Sequence, residues 1–243
     1  MTLQSKADIL KDLQTDILRM QGFKSSGSVE LDIGLGPILD AFPNSSFPLG
    51  AVHEFLSTQR EDAASTCGFL AGLLSSLMGN NGATVWISSS RTLFPPALKS
   101  FGLEPDRFIF LDLQKEKDVL WAMDECLKCS ALSAVVGEIR EMDFNSSRRL
   151  QLAVEQSQVT GFILRNHFRH QNATACVSRW KISPLPSSAD DGLPGIGIPK
   201  WRVELLRMRN GKPGVWDIQW INGQFVPVQH FPAVSPSLQK KAG

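Results

Sequence analysis

An α/β fold is predicted, with a mostly parallel sheet flanked by helices and antiparallel strands closing its C-terminal end. Three observations carry that expectation. Residues 50–87 read as strand, polar loop, helix and strand, the order of a right-handed βαβ unit. After them, short apolar runs alternate with helical patterns of about 10–15 residues, the mark of a parallel sheet covered on both faces. Beyond residue 200 the helical patterns stop. Two turn signals, Asn210-Gly211-Lys212-Pro213-Gly214 and Asn222-Gly223, separate strand-like runs there.

Residues 3–20 predict an amphipathic helix. Ser5 and Asp8 have the spacing of a capping box, and Ile9, Leu10, Leu13, Ile17 and Met20 fall on one face. Residues 22–28 form a glycine- and serine-containing link, so 1–28 is set apart from one large domain over 29–231. The apolar face has two readings. It packs on its own core, or it docks on a partner or a second copy through Ile9, Leu10, Leu13 and Ile17.

Residues 31–49 are a lead-in of Gly, Pro and Ser with scattered apolar anchors. A strand over 51–56 follows. In the helix behind the loop, Phe69, Leu70, Leu73, Leu74 and Leu77 recur at three-and-four spacing, and Gly79-Asn80-Asn81-Gly82 favours a left-handed cap. Then come a strand over 83–87, a helix opening on Pro95-Pro96, and a strand over 108–111. Residues 115–129 are helical, with Val119, Leu120, Met123 and Leu127 inward. A strand over 133–136, a helix over 148–158, and strands over 161–164 and 177–182 complete the alternation. Residues 184–199 form a Pro/Gly/Ser loop, 201–209 and 215–220 a hairpin, and 232–243 a polar, basic, disordered tail.

Composition excludes several classes. A net charge of +1 over 243 residues gives no global pull toward nucleic acid or membrane. No apolar run reaches the roughly 18–20 residues that span a bilayer, and no secretion signal is visible at the N-terminus. Cysteine is sparse, as in a reducing cytosol, so a cytoplasmic location is expected. Cys126 and Cys129 have CxxC spacing but fall within a helix, with no second pair to complete a metal site. They read as structural. In a strand, His53 and Glu54 point to opposite faces, so a metal pair is not expected.

The loop before the central helix carries the functional question. A phosphate-binding loop needs G-x-x-x-x-G-K-[ST], whose glycines let N–H groups converge on phosphate and whose lysine reaches the terminal phosphates. Here residues 57–66 read STQREDAAST, with no glycine and no lysine. Glu61 and Asp62 would repel a triphosphate. Ser57 and Arg60 complete the degenerate loop, and Ser65 or Thr66 is expected to cap the helix. No cofactor is expected.

The order of elements resembles the RecA-type ATPases. Gly50-Ala51-Val52-His53-Glu54-Phe55 is similar to their first core strand. Thr84-Val85-Trp86-Ile87-Ser88-Ser89-Ser90 is similar to the next, with Ser90 where a catalytic glutamate normally stands. Ala134-Val135-Val136-Gly137-Glu138 resembles the strand that ends in a magnesium-associated aspartate, with Gly137 at that place and Glu138 one step late, on the opposite face. The closer resemblance is to the ImuA family of bacterial mutagenic repair cassettes. It is carried by residues 48–54, 120–127, 134–138, 147–153, 159–165 and 199–207, and spans roughly 31–220.

That resemblance implies a RecA-like core without ATPase chemistry, hence no enzyme. It implies an accessory role in SOS-induced translesion synthesis with an ImuB-type partner and an error-prone C-family polymerase. RecA, DNA held weakly, and self-association are further partners on this reading. Two alternatives stand beside it: a SulA-like cell-division inhibitor, against which the region 184–226 and the N-terminal helix argue, and an ATPase with a variant loop.

In RecA-type proteins the region after the 161–164 strand leads to a DNA-contacting loop, and Asn166 matches a nucleotide-sensing polar residue. Arg165, Asn166, His167, Arg169 and His170 are therefore candidate phosphate contacts, joined by Arg207, Arg209 and Lys212 at the hairpin. A solvated basic loop is the plainer reading. Arg148 and Arg149 open a helix where cations are disfavoured, and a carboxylate such as Asp143 is the expected compensation. Trp180, Trp201, Trp216 and Trp220 are expected in the core or as sheet cover.

Overall fold

A computed structural model describes residues 34–79, 82–90, 93–187 and 197–228, together with Lys6, Leu13, Asp16 and Ile17, which are helical. Strands β1 (Val52–Ser57), β2 (Thr84–Ser88), β3 (Phe108–Asp112), β4 (Ala134–Glu138), β5 (Thr160–Asn166), β6 (Ser178–Pro184), β7 (Lys200–Met208), β8 (Gly214–Ile221) and β9 (Gln224–Pro227) join in one sheet. Its order is β3-β2-β4-β5-β1-β6-β7-β8-β9. Every pairing from β3 across to β6 is parallel. The remaining pairings, from β6 to β9, are antiparallel. The α/β class and the antiparallel closure are as expected.

Three α-helices cover this sheet among the described residues: α1 (Arg60–Met78), α2 (Glu116–Leu127) and α3 (Phe144–Ser157). Strand alternation sorts the core into two layers. Phe55, Val136 and Phe162 pack with α1, while their neighbours Val52, Val135 and Ile163 pack with α2 and α3. The α1 layer continues under β6 to β9 through a run of aromatic rings. Phe55 stacks on Trp180 at 5.9 Å, and Phe69 meets Phe225 at 4.9 Å. Trp180, Trp201 and Trp220 are thus core residues, and Trp216 packs against them.

His53 lies wholly inside that layer. Its Nε2 lies 2.8 Å from the Pro48 carbonyl and must donate to it, which leaves Nδ1 to accept from Ser178 Oγ at 2.7 Å. Trp180 Nε1 donates to the same hydroxyl at 2.6 Å. Burial lowers the imidazole pKa to about 4, so the ring is neutral.

Several boundaries differ from the sequence reading. Residues 60–66 belong to α1, whose first turn starts three residues after β1 ends. Pro95–Phe101 forms a 3-10 helix instead of an α-helix, with the prolines in its first two positions. Strand β5 runs through Asn166, so Arg165 and Asn166 are strand residues and not part of the loop that follows. At the far end of α1, Gly79 adopts φ +46°, and the Arg107 guanidinium donates to the carbonyls of Met78, Gly79 and Gly82. Asp143 caps α3 by accepting from the Ser146 N–H, which holds its carboxyl below the usual range. Arg149 lies 3.6 Å from Asp124 and its charge also helps lower Asp143. Because α3 begins at Phe144, Arg148 and Arg149 stand in its second turn and do not open it. Residues 18–33 and 229–243, which include the expected link and tail, lie outside the described residues.

Candidate functional site

The turn from β1 into α1 has the position of a phosphate-binding loop and is closed by its own side chains. Asp62 Oδ2 accepts from the Thr58 N–H at 3.3 Å, the Gln59 N–H at 3.3 Å and the Thr58 hydroxyl at 2.9 Å. The Gln59 side chain accepts in return from the Asp62 N–H, making a reciprocal capping box. A carboxylate of the chain therefore takes the N–H groups and the positive helix end that would otherwise attract a bound anion. The expected cap by Ser65 or Thr66 is corrected. Both lie in the second turn of α1, and Thr66 Oγ1 meets Ser57 Oγ at 3.1 Å, tying helix to strand. Glu61 is exposed. The spacing Gln59-x-x-Asp62 is that of a capping box, but with glutamine at the N-cap and aspartate at N3 it departs from the usual residue types.

The two other positions compared with ATPase motifs, Ser90 and Gly137, sit in different surroundings. Ser90 is exposed, just past the end of β2. Gly137 faces α2, and a Cβ built there would run into the Met123 thioether, so an aspartate here would require the Met123 side chain to move. Glu138 points to the α1 side, nearly buried, and accepts from Trp86 Nε1 at 2.9 Å.

Glu138 stands in the wall of a cavity of about 860 Å³ on the flank of α1. The cavity brings together Arg60, Ser65, Ser90, Asn166 and His167, which sequence reasoning had divided between two sites. It is not lined by Ser57, Thr58, Glu61, Asp62 or Thr66. Cys67 opens onto it, with its thiol pushed up to about 12 by burial and by the Glu138 charge. Phe94 and Phe101, which no sequence signal marks, also line it, together with Trp201, expected in the core or as sheet cover.

The basic segment after β5 is built differently from the expectation. Arg165 is fully buried on the α2/α3 side of the sheet, so it is corrected from a phosphate contact to a core ion pair. Its guanidinium donates to Glu54 Oε1 at 2.9 Å and to the carbonyls of Arg140 and His170, and it lies over the Phe168 ring. Glu54, itself inaccessible, also accepts from Arg179 Nε at 2.7 Å and from the Thr174 hydroxyl at 2.9 Å. Arg179 reaches the Asn172 carbonyl, Arg207 those of Thr174 and Cys176, and Arg209 that of Ala175. Four arginines thus staple residues 170–176 to the sheet. His167, Arg169, His170 and Lys212 remain on the surface. His167 has φ +54°, in the left-handed region.

In the N-terminal segment, Leu13 and Ile17 are each 52% exposed, whereas Ile9 and Leu10 lie outside the described residues. All four cysteines are free: Cys126 lies in the last turn of α2, whereas Cys129, expected within that helix, lies beyond its end and is exposed. Among the described residues no cluster of metal-ligating side chains occurs, and no helix is long and apolar enough to cross a membrane.

No protein-family model matches the chain. Over 201 residues it is 33% identical to Protein ImuA of Caulobacter vibrioides strain NA1000 / CB15N, covering 78% of this chain and 82% of that protein. Protein ImuA of strain ATCC 19089 / CIP 103742 / CB 15 gives the same values. Among solved structures, SulA from Pseudomonas aeruginosa superposes with a TM-score of 0.41 at 18% identity, over 47% of this chain and 97% of that one. One-third identity sustained over more than three quarters of the sequence decides the assignment: the chain belongs to the ImuA family.

Proposed function

We propose that this chain is a non-catalytic, RecA-like accessory protein of SOS-induced translesion DNA synthesis. It works in the cytoplasm through contacts with an ImuB-type protein and an error-prone C-family polymerase. The observation that carries the reading is Asp62, whose carboxylate takes the Thr58 and Gln59 N–H groups where a nucleotide phosphate would have to bind. The crowded Gly137 supports it independently. Family membership points the retained fold toward assembly with repair polymerases.

Two surfaces serve as contacts on this reading. The N-terminal helix, within residues 1–28, presents Leu13 and Ile17 to a partner or a second copy. The carboxyl-end face of the parallel strands presents His167, Arg169 and His170, with Lys212 at the hairpin, for weak contacts with DNA or RecA. Residues 29–231 act as one RecA-like unit and 232–243 as a tail.

Co-purification of the tagged full chain with the ImuB-type protein and C-family polymerase of the same bacterium tests the proposal. Capture of either is expected, and Leu13→Asp/Ile17→Asp should reduce it. Failure of the full chain to capture either polymerase component, with no drop in damage-induced mutation on deleting its gene, would remove the reading.

A further inference from the structure

The cavity beside α1 is separate from the closed loop, and its lining describes what it can hold. Its floor is a stripe of small residues on α1, Ala63, Ala64, Gly68 and Ala71. Phe101 and Trp201 lie against Gly68, where an added Cβ would come within 3.4 Å and 3.1 Å of their rings. Phe94 borders the opening and is 67% exposed, a large apolar surface that protein does not cover. At 860 Å³ the space is within the range of sites that enclose small organic molecules.

The polar groups fix the sign and the donor pattern. Arg60 and Arg140 are balanced by Glu116 and Glu138, so the lining exerts no net pull on an anion. Arg140 is in addition paired with Glu116 at 3.6 Å. In the wall formed by β4 and β5, the Glu138 carboxylate stands with Asn166, whose buried Oδ1 has no hydrogen-bond partner among the described residues. A hydrogen-bond donor entering from the cavity that Asn166 lines is the group that oxygen lacks. An aromatic body would cover Phe94 and lie on the alanine stripe.

We infer that this cavity binds a small, uncharged aromatic molecule carrying an N–H donor. The inference does not rest on the proposed role in translesion synthesis, and it sets the cavity apart from nucleotide chemistry.

N-phenyl-1-naphthylamine, an uncharged aromatic amine whose emission rises in apolar surroundings, is the probe. Titrated into the full chain, it should show saturable enhancement at one molecule per chain. Ala64→Trp, at an exposed position of α1, should fill the space and weaken binding at least about tenfold. Asn166→Ala should weaken it about fivefold, the equivalent of one hydrogen bond of about 1 kcal/mol, with no loss of thermal stability because the unpartnered oxygen goes too. If Ala64→Trp fails to fold, the Asn166→Ala comparison decides alone. A non-saturable signal, wild-type affinity in the folded variants, or competitive displacement of the probe by magnesium–ATP would each overturn the inference.

Discussion

Glu54→Gln is the sharpest perturbation of this fold. The carboxylate is inaccessible to solvent and receives three hydrogen bonds: from Arg165 at 2.9 Å, Thr174 at 2.9 Å and Arg179 at 2.7 Å. Glutamine keeps the shape but removes the charge that balances two guanidiniums. Arg165 retains a second carboxylate, Glu141 at 3.4 Å, whereas Arg179 falls back on the Asn172 carbonyl. Breaking a buried pair from one side costs about 3–5 kcal/mol. The retained Glu141 contact places Glu54→Gln near about 3 kcal/mol and Glu54→Ala nearer 5. With an m value of roughly 3 kcal/mol/M, the urea midpoint should drop by about 1 M for Glu54→Gln at unchanged slope. Amide exchange should accelerate first in residues 170–176, which the arginines hold. A Glu54→Leu/Arg165→Met/Arg179→Met chain should regain most of the loss, because it removes the buried charges together. A midpoint shift under about 0.2 M for Glu54→Gln would mean the arginines do not depend on Glu54, and the reasoning would fail.

Three further outcomes follow from the geometry. Asp62→Ala removes the reciprocal cap of α1 and should cost about 1 kcal/mol, read as a lower Tm; an unchanged Tm would count against the cap. Gly137→Asp should lower stability by more than about 2 kcal/mol through collision with Met123, and Gly137→Asp/Met123→Ala should recover part of it in the same urea titration. Acid titration should expose His53. Its folded pKa of about 4 lies below the ordinary 6.5, so the unfolded chain binds a proton that the folded chain refuses between those values. Stability is full above about pH 6.5 and falls as pH drops toward 4, by about 3 kcal/mol in total. His53→Gln should flatten that part of the slope.

Much of the fold was legible because it rests on local periodicity. Phe69, Leu70, Leu73 and Leu74 repeat on one face of α1, and all four are fully buried. Asn210 and Asn222 marked the turns between the last strands, and both carry positive φ. What escaped depends on partners far along the chain. Arg165 looked like a surface cation because its carboxylate, Glu54, is 111 positions away on the adjacent strand. Gly137 reads from sequence only as the place of an aspartate, whereas in the fold it lies against the Met123 side chain of α2. The cavity was invisible for the same reason: Phe101 and Trp201 meet only once β7 is laid against α1. Asp62 is the exception. Its capping partner is only three residues away, but glutamine is not a favoured N-cap residue, so from sequence the carboxylate reads only as repulsion.

The central claim of the proposed function is that Asp62 takes the N–H groups at the β1–α1 turn that a nucleotide phosphate would need. Equilibrium titration of the full chain with magnesium–ATP, followed by phosphate release in the same sample, tests it most directly. The account predicts no saturable binding up to millimolar nucleotide and no turnover above buffer. Saturable binding with magnesium-dependent phosphate release that is lost in Glu138→Gln would contradict it.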